Sequence, residues 1–131
     1  MLSHAILGIS DVTRAVNFYD QVLGALGIER RFSSDTAAGY GLGDERGIDT
    51  FWLSKPLDGN PATVGNGTNI CFVSPTRASV DQFYDLALKL GGVSAGLPGI
   101  REEVHANFYA AYVLDLDGHK IVAACHEGLS G

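Results

Sequence analysis

The side chains that could hold a metal or move a proton are few and widely spaced. The four histidines are His4, His105, His119 and His126, and the two cysteines are Cys71 and Cys125. Both cysteines lie inside apolar stretches with no second ligand at metal-binding spacing. That reads as two reduced, buried thiols of a cytoplasmic protein. Ser3-His4 and Cys125-His126 place a nucleophile beside a base, but only in sequence. On a strand, neighbouring side chains point to opposite faces, so neither pair makes an activated nucleophile. His105, Asn107 and Tyr109 fall on one side of an extended chain and could meet a polar substrate at the mouth of a site, although an ordinary polar surface loop has the same composition. His119 follows Asp117-Gly118 and reads as an exposed or turn-stabilising residue. Arg14 and Arg77, each one residue after Thr13 or Thr76, read as solvated or salt-bridged. The net charge is −6 with no basic cluster, which argues against a nucleic-acid partner. No apolar run approaches the length of a membrane span, and the first residues lack the basic and apolar regions of a signal peptide.

The elements that must position these residues repeat. Asp11 can cap a helix whose apolar face holds Val12, Ala15, Val16, Tyr19, Val22, Leu23 and Leu26, and Gly27 ends it. Thr76 can cap a second helix with Val80, Phe83, Tyr84, Ala87 and Leu90 on one side, ended by Gly91 and Gly92. Phe18-Tyr19-Asp20, then Leu23, Gly27 and Ile28, matches Phe83-Tyr84-Asp85, then Leu88, Gly92 and Val93, at a constant offset of 65. One strand precedes each helix, at 2–9 and 68–73. Three follow each: 28–33, 38–42 and 49–53 in the first half, then 93–95, 108–114 and 120–125 in the second. Asp117-Gly118 is a tight-hairpin signal. The order is βαβββ twice: module one at 1–55, a Gly-, Pro- and Asn-rich linker at 56–67, and module two at 68–126.

Against this repeat, His4-Ala5-Ile6-Leu7-Gly8-Ile9-Ser10-Asp11, Phe18-Tyr19 and Leu23-Gly24 resemble the N-terminal signature of the vicinal oxygen chelate superfamily, the glyoxalase and bleomycin-resistance fold. Tyr112-Val113-Leu114-Asp115-Leu116-Asp117-Gly118-His119-Lys120-Ile121 resembles its Asp-Pro-Asp-Gly hairpin, with Leu116 in place of proline. The stretch from Leu97-Pro98-Gly99-Ile100-Arg101 to His105-Ala106-Asn107-Phe108-Tyr109 resembles an uncharacterised, glyoxalase-like bacterial branch. The resemblance implies an α+β fold, with two tandem modules forming a curved, eight-stranded mixed sheet and helices on the convex face. It also implies a homodimer. In the family's metalloenzymes, four side chains of the concave sheet hold one divalent ion. The first position falls on His4 and its counterpart on Asn69. The position two residues after Lys120, normally glutamate, is Val122. The fourth falls on Phe51 or Trp52. Asp49, sharing a face with Phe51, and His126, sharing one with Val122, are the neighbours that could substitute.

Histidine alone is a poor site for a divalent ion. The expected function is therefore a metal-free small-molecule-binding protein with no cofactor, similar to the drug-sequestering bleomycin-resistance members. The alternative is a lyase, isomerase or dioxygenase that uses one divalent metal ion, with His4 as the surviving ligand. A third reading is an interaction module whose side chains simply fill the trough. The expected lining is His4 and Ile6, Asn69, Cys71 and Val73, Val122 and Ala124, and Phe51 or Trp52, with His105, Asn107 and Tyr109 at the mouth. Such a trough suits a small, partly flat organic molecule.

Overall fold

The computed structural model describes residues 1–42 and 49–128. Its elements run β1 (Ala5–Gly8), α1 (Val12–Gly24), β2 (Glu29–Ser33), β3 (Ala37–Gly41), β4 (Phe51–Ser54), β5 (Asn69–Val73), α2 (Arg77–Lys89), β6 (Val93–Ile100), β7 (Tyr109–Leu114) and β8 (Lys120–Cys125). This is βαβββ twice. The helices start where capping side chains satisfy a free amide: Asp11 Oδ1 accepts from Arg14 N at 3.0 Å, and Thr76 Oγ1 from Ser79 N at 3.0 Å. The helices end on different members of the repeat. Gly27 holds φ at 82°, but in the second module the left-handed residue is Gly91, at 103°. Gly92, the counterpart of Gly27 by sequence, is needed for another reason: a Cβ there would sit 2.8 Å from the Ala87 carbonyl oxygen.

The strands form two four-stranded sheets, β1-β4-β3-β2 and β5-β8-β7-β6. The eight strands of the expected sheet are therefore split between the modules, and among the described residues no strand pair joins the halves. In each sheet the module's first strand runs parallel to its last. Ala5 pairs with Phe51 and Ile6 with Trp52, while Ile70 pairs with Ile121 and Cys71 with Val122. Strand β6 extends five residues beyond the expected 93–95. It is an edge strand, where two register shifts around Leu97-Pro98 accommodate a proline that could not donate to a ladder.

Alternation decides what is buried. Leu7 and Ile9 are covered, while Ile6, which alternates with them, is 57% exposed. The covered faces meet the helices in one core that includes Phe18, Tyr19 and Phe51 of the first module and Phe72, Phe83 and Ile121 of the second. The Phe51 and Phe72 rings meet edge-on at 4.9 Å across the module boundary. A polar clasp crosses it too. Tyr19 Oη donates to Asp115 Oδ2 at 2.5 Å, and Asp115 Oδ1 accepts from Asp117 N and His119 N. His119 is buried, not exposed, because Nε2 donates to the Gly8 carbonyl at 2.6 Å. Asp117 accepts from Ser10 N and lies 3.8 Å from Arg14. Among the described residues, no helix is long and apolar enough to cross a membrane.

Candidate functional site

Two adjoining hollows lie where β1 and β4 of the first module approach β5 of the second. The smaller, about 340 Å³, is lined by Ser3, His4, Thr50, Phe51, Asn69 and Cys71, among others. The larger, about 440 Å³, takes Leu26, Ile28, Leu42, Val73 and Pro75 together with Thr50, Phe51, Cys71 and Phe72. The shared residues make the Phe51–Phe72 contact the floor of one cleft with two lobes. His4 and Asn69, 65 positions apart in sequence, thus reach the same lobe, as the repeat implied. His4 Nδ1 is engaged by Ser3 Oγ at 2.9 Å. Of the two thiols expected to be buried, only Cys125 is; Cys71 is exposed at the cleft, where partial desolvation still pushes its thiol up and favours the protonated form.

The strand register separates Phe51 from Trp52. Phe51 is 4% exposed and packs toward α1, 5.4 Å from Tyr19. Trp52 lies on the opposite, concave face, beside Ile6, and is the counterpart of Val122. Its indole is flat across β3, and a Cβ on Gly39 would fall 2.9 Å from its ring carbons. Nε1 donates to the Asp49 carbonyl at 3.0 Å, and Phe32 closes the shelf at 5.4 Å.

The family's ligand positions are therefore His4, Trp52, Asn69 and Val122. One imidazole, one amide, an indole and an isopropyl group do not fit a divalent ion. The substitutes are engaged elsewhere. Asp49 turns onto the concave face, where its carboxylate lies 3.3 Å from Arg31 Nε. His126 Nδ1 is 2.9 Å from His105 Nε2. Among the described residues, no three of His, Cys, Asp and Glu converge on a point.

Four other expected site residues fall differently. Val122 is only 2% exposed, because Phe108, Ala110, Ala124 and Tyr112 close over it in a small cluster of their own. On that face the module fills its own trough. Residues 101–108 are not extended: Val104 N donates to Arg101 O and Phe108 N to His105 O. This turn sends His105 toward His126 and leaves Asn107 exposed, with its backbone N donating to His105 Nδ1. Tyr109 emerges on the other face. It donates to Asp81 of α2 at 2.6 Å under the Arg77 guanidinium, and the Asp81 hydrogen bond and burial push its phenol up to about 12. Thr50, Phe32, Tyr112 and Arg101 were not singled out. Alternation with Ala110 was the available signal for Tyr112, and the offset from Trp52 for Thr50.

No family model matches the chain, and no curated protein does. Solved structures do match. A glyoxalase/bleomycin resistance protein from Albidiferax ferrireducens is 32% identical, with 95% of this chain and 98% of that one covered and a TM-score of 0.83. Fosfomycin resistance protein FosX from Mesorhizobium loti is 20% identical over 95% and 91%, at 0.64. A lactoylglutathione lyase from Agrobacterium tumefaciens is 17% identical over 95% and 92%, at 0.63. The last two share the fold.

Proposed function

The chain belongs to the glyoxalase/bleomycin resistance family of the vicinal oxygen chelate superfamily, and from that premise we propose that it binds a small organic molecule in the cleft between its modules, with no metal at the family's ligand positions. The lining of the cleft carries this reading. Phe51, Phe72, Ile28, Leu26 and Val73 form apolar walls, and His4, Thr50 and Asn69 are the polar groups. Each 100 Å² of ligand taken out of water by such walls contributes roughly 2.5 kcal/mol. Each polar group demands a partner once water leaves. A compact aromatic or heteroaromatic molecule with one or two hydrogen-bonding groups meets both conditions. A nucleotide does not, since among the described residues no Lys or Arg lines either lobe.

A fragment screen by ligand-observed NMR tests the reading. Neutral aromatics should dominate the hits, and Asn69→Leu should weaken the polar ones selectively. Hits confined to polyanions, or hits indifferent to Asn69→Leu, would refute it. The reading includes a cytoplasmic homodimer. Two free thiols suit a reducing compartment. Ile6, Phe32 and Val73, exposed by 57%, 48% and 70%, favour a covering partner. Sedimentation of a single species at the monomer mass would remove the dimer.

A further inference from the structure

The segment between β6 and β7 crosses the end of β8 as a compact strap. Arg101 N donates to Phe108 O at 2.8 Å and closes its base, while Val104 N donates to Arg101 O and Phe108 N to His105 O. The tip of the strap reaches β8 through a chain of hydrogen bonds. The Asn107 backbone N–H donates to His105 Nδ1 at 3.1 Å, which fixes the His105 proton on Nε2. That proton is given to His126 Nδ1, 2.9 Å away, so the neutral His126 ring carries its own proton on Nε2. The ring centroids are 5.1 Å apart, close to that nitrogen separation plus two ring radii, so the rings meet end to end.

This chain has no room for a further proton. The two lone pairs that would take one, on His105 Nδ1 and His126 Nδ1, already accept N–H groups. A proton on His105 Nδ1 faces the Asn107 amide and breaks the turn. A proton on His126 Nδ1 faces the His105 Nε2–H and breaks the tie to β8. Moving the His105 proton to Nδ1 relieves the second clash and creates the first. Every protonated state of the pair therefore loses at least one hydrogen bond.

The charged groups on the surrounding elements do not compensate. They are Arg101, Glu102 and Glu103 of the strap, Lys120 and Glu127 at the two ends of β8, and Arg77 and Asp81 of α2. Arg77 Nη2 donates to the Glu127 carbonyl at 3.4 Å, and Asp81 accepts from the Tyr109 hydroxyl. The ion pairs among the described residues are Arg14–Asp117, Arg30–Asp20 and Arg31–Asp49, so no carboxylate there is paired with either imidazole. His126 is exposed and His105 half-buried, so a protonated ring can turn to water.

What the tie holds down is Phe108. Its ring stands edge-on to both imidazoles, 5.6 Å from His105 and 5.2 Å from His126. The same ring packs with Val122, Ala110 and Ala124. We propose that the His105–His126 pair is an acid-released latch, which keeps the strap shut over the second module when neutral and frees it when protonated. The device stands apart from the inter-module cleft and does not depend on it.

Hydrogen exchange along the strap tests it, with rates taken relative to the unfolded chain at each pH from about pH 8 to about pH 5, the range over which imidazoles in general gain a proton. In the parent, the Asn107 and Phe108 amides should lose roughly tenfold protection across that range, the worth of one hydrogen bond. The methyl resonances of Val122 and Ala124 should shift with the same midpoint. His126→Phe keeps an aromatic ring beside Phe108 and removes the acceptor. It should show the loosened strap at every pH, with no further response to acid. His105→Phe removes the other half of the pair and should do the same. Strap protection equal at both ends of the range would overturn the proposal, as would Val122 and Ala124 methyls that do not move. So would an acid response that persists in both variants, or one confined to Gly8 and Asp115 beside His119.

Discussion

Tyr19→Phe isolates the clasp that holds the two modules in register. Tyr19 is 1% exposed and Asp115 5%, and their hydrogen bond spans 96 residues of chain. The substitution removes one hydrogen bond to a buried carboxylate and leaves Oδ2 without that donor. Asp115 Oδ1 keeps its two backbone amides. A hydrogen bond to a charged group contributes about 1.5–3 kcal/mol, and the ring itself still packs. At an unfolding entropy of about 2.1 cal/mol/K per residue, a loss near 2 kcal/mol lowers Tm by roughly 7 °C. Burial, and then Asp115, hold the Tyr19 phenol well above its ordinary value. A raised value means that the unfolded chain loses this proton first, starting near pH 10. The stability linked to Tyr19 is therefore fully present below about pH 10 and falls by about 1.4 kcal/mol per pH unit above it. Tyr19→Phe lacks that group, so the gap between variant and parent should close by about pH 11.5. Urea unfolding from pH 7 to 11.5 measures both the gap and its closure. A variant as stable as the parent at pH 7, or a gap that stays constant to pH 11.5, would refute the assignment.

Other substitutions address the site. Purified protein made without an affinity tag should contain no stoichiometric zinc, nickel, iron or manganese. One ion per chain, lost on His4→Ala, would move the balance to the metal-dependent alternative. Asn69→His with Trp52→Glu should create a site for zinc or nickel with His4, read by calorimetric titration. No gain in affinity in a folded double variant would mean that the concave register is wrong. Trp52 is the single tryptophan, so Gly39→Ala, which intrudes on its ring, should shift the emission spectrum and cost about 1–3 kcal/mol. An unchanged spectrum would show that the indole does not lie over Gly39.

Local signals made much of this fold legible. The capping residues, the helix stripes, the hairpin glycine and the 65-residue offset are all short-range patterns, and each corresponds to an element in place. The same offset brought His4 and Asn69 to one lobe, because a repeated module repeats its register. What sequence could not supply was which residue faces which. Phe51 and Trp52 are equally plausible until β4 is paired with β1, and that pairing depends on hydrogen bonds between segments 46 residues apart. Tyr109 was placed by counting alternate residues through a segment that in fact turns. His119 was read from its hairpin alone, while its partner is a carbonyl 111 residues away. The burial of Val122 has the same origin: Tyr112 of the neighbouring strand and Phe108 just ahead of it close over it.

The first module's concave wall shows why an absent metal ligand need not leave a gap. Trp52 stands where a ligand would project, and a bulky flat ring there requires space on the next strand. Gly39, its partner in register, provides that space. Asp49, which could have substituted as a ligand, instead gives its backbone carbonyl to the indole and its carboxylate to Arg31. Freeing Asp49 for a metal would therefore unpair Arg31 and disturb the ring's one hydrogen bond together. Across the molecule, Val122 lies under Phe108 and Tyr112 rather than beside an open coordination position. Both far walls are committed to packing. The open volume lies between the modules, where His4 and Asn69 meet the Phe51–Phe72 floor, and that is where a ligand can be added without first displacing a side chain.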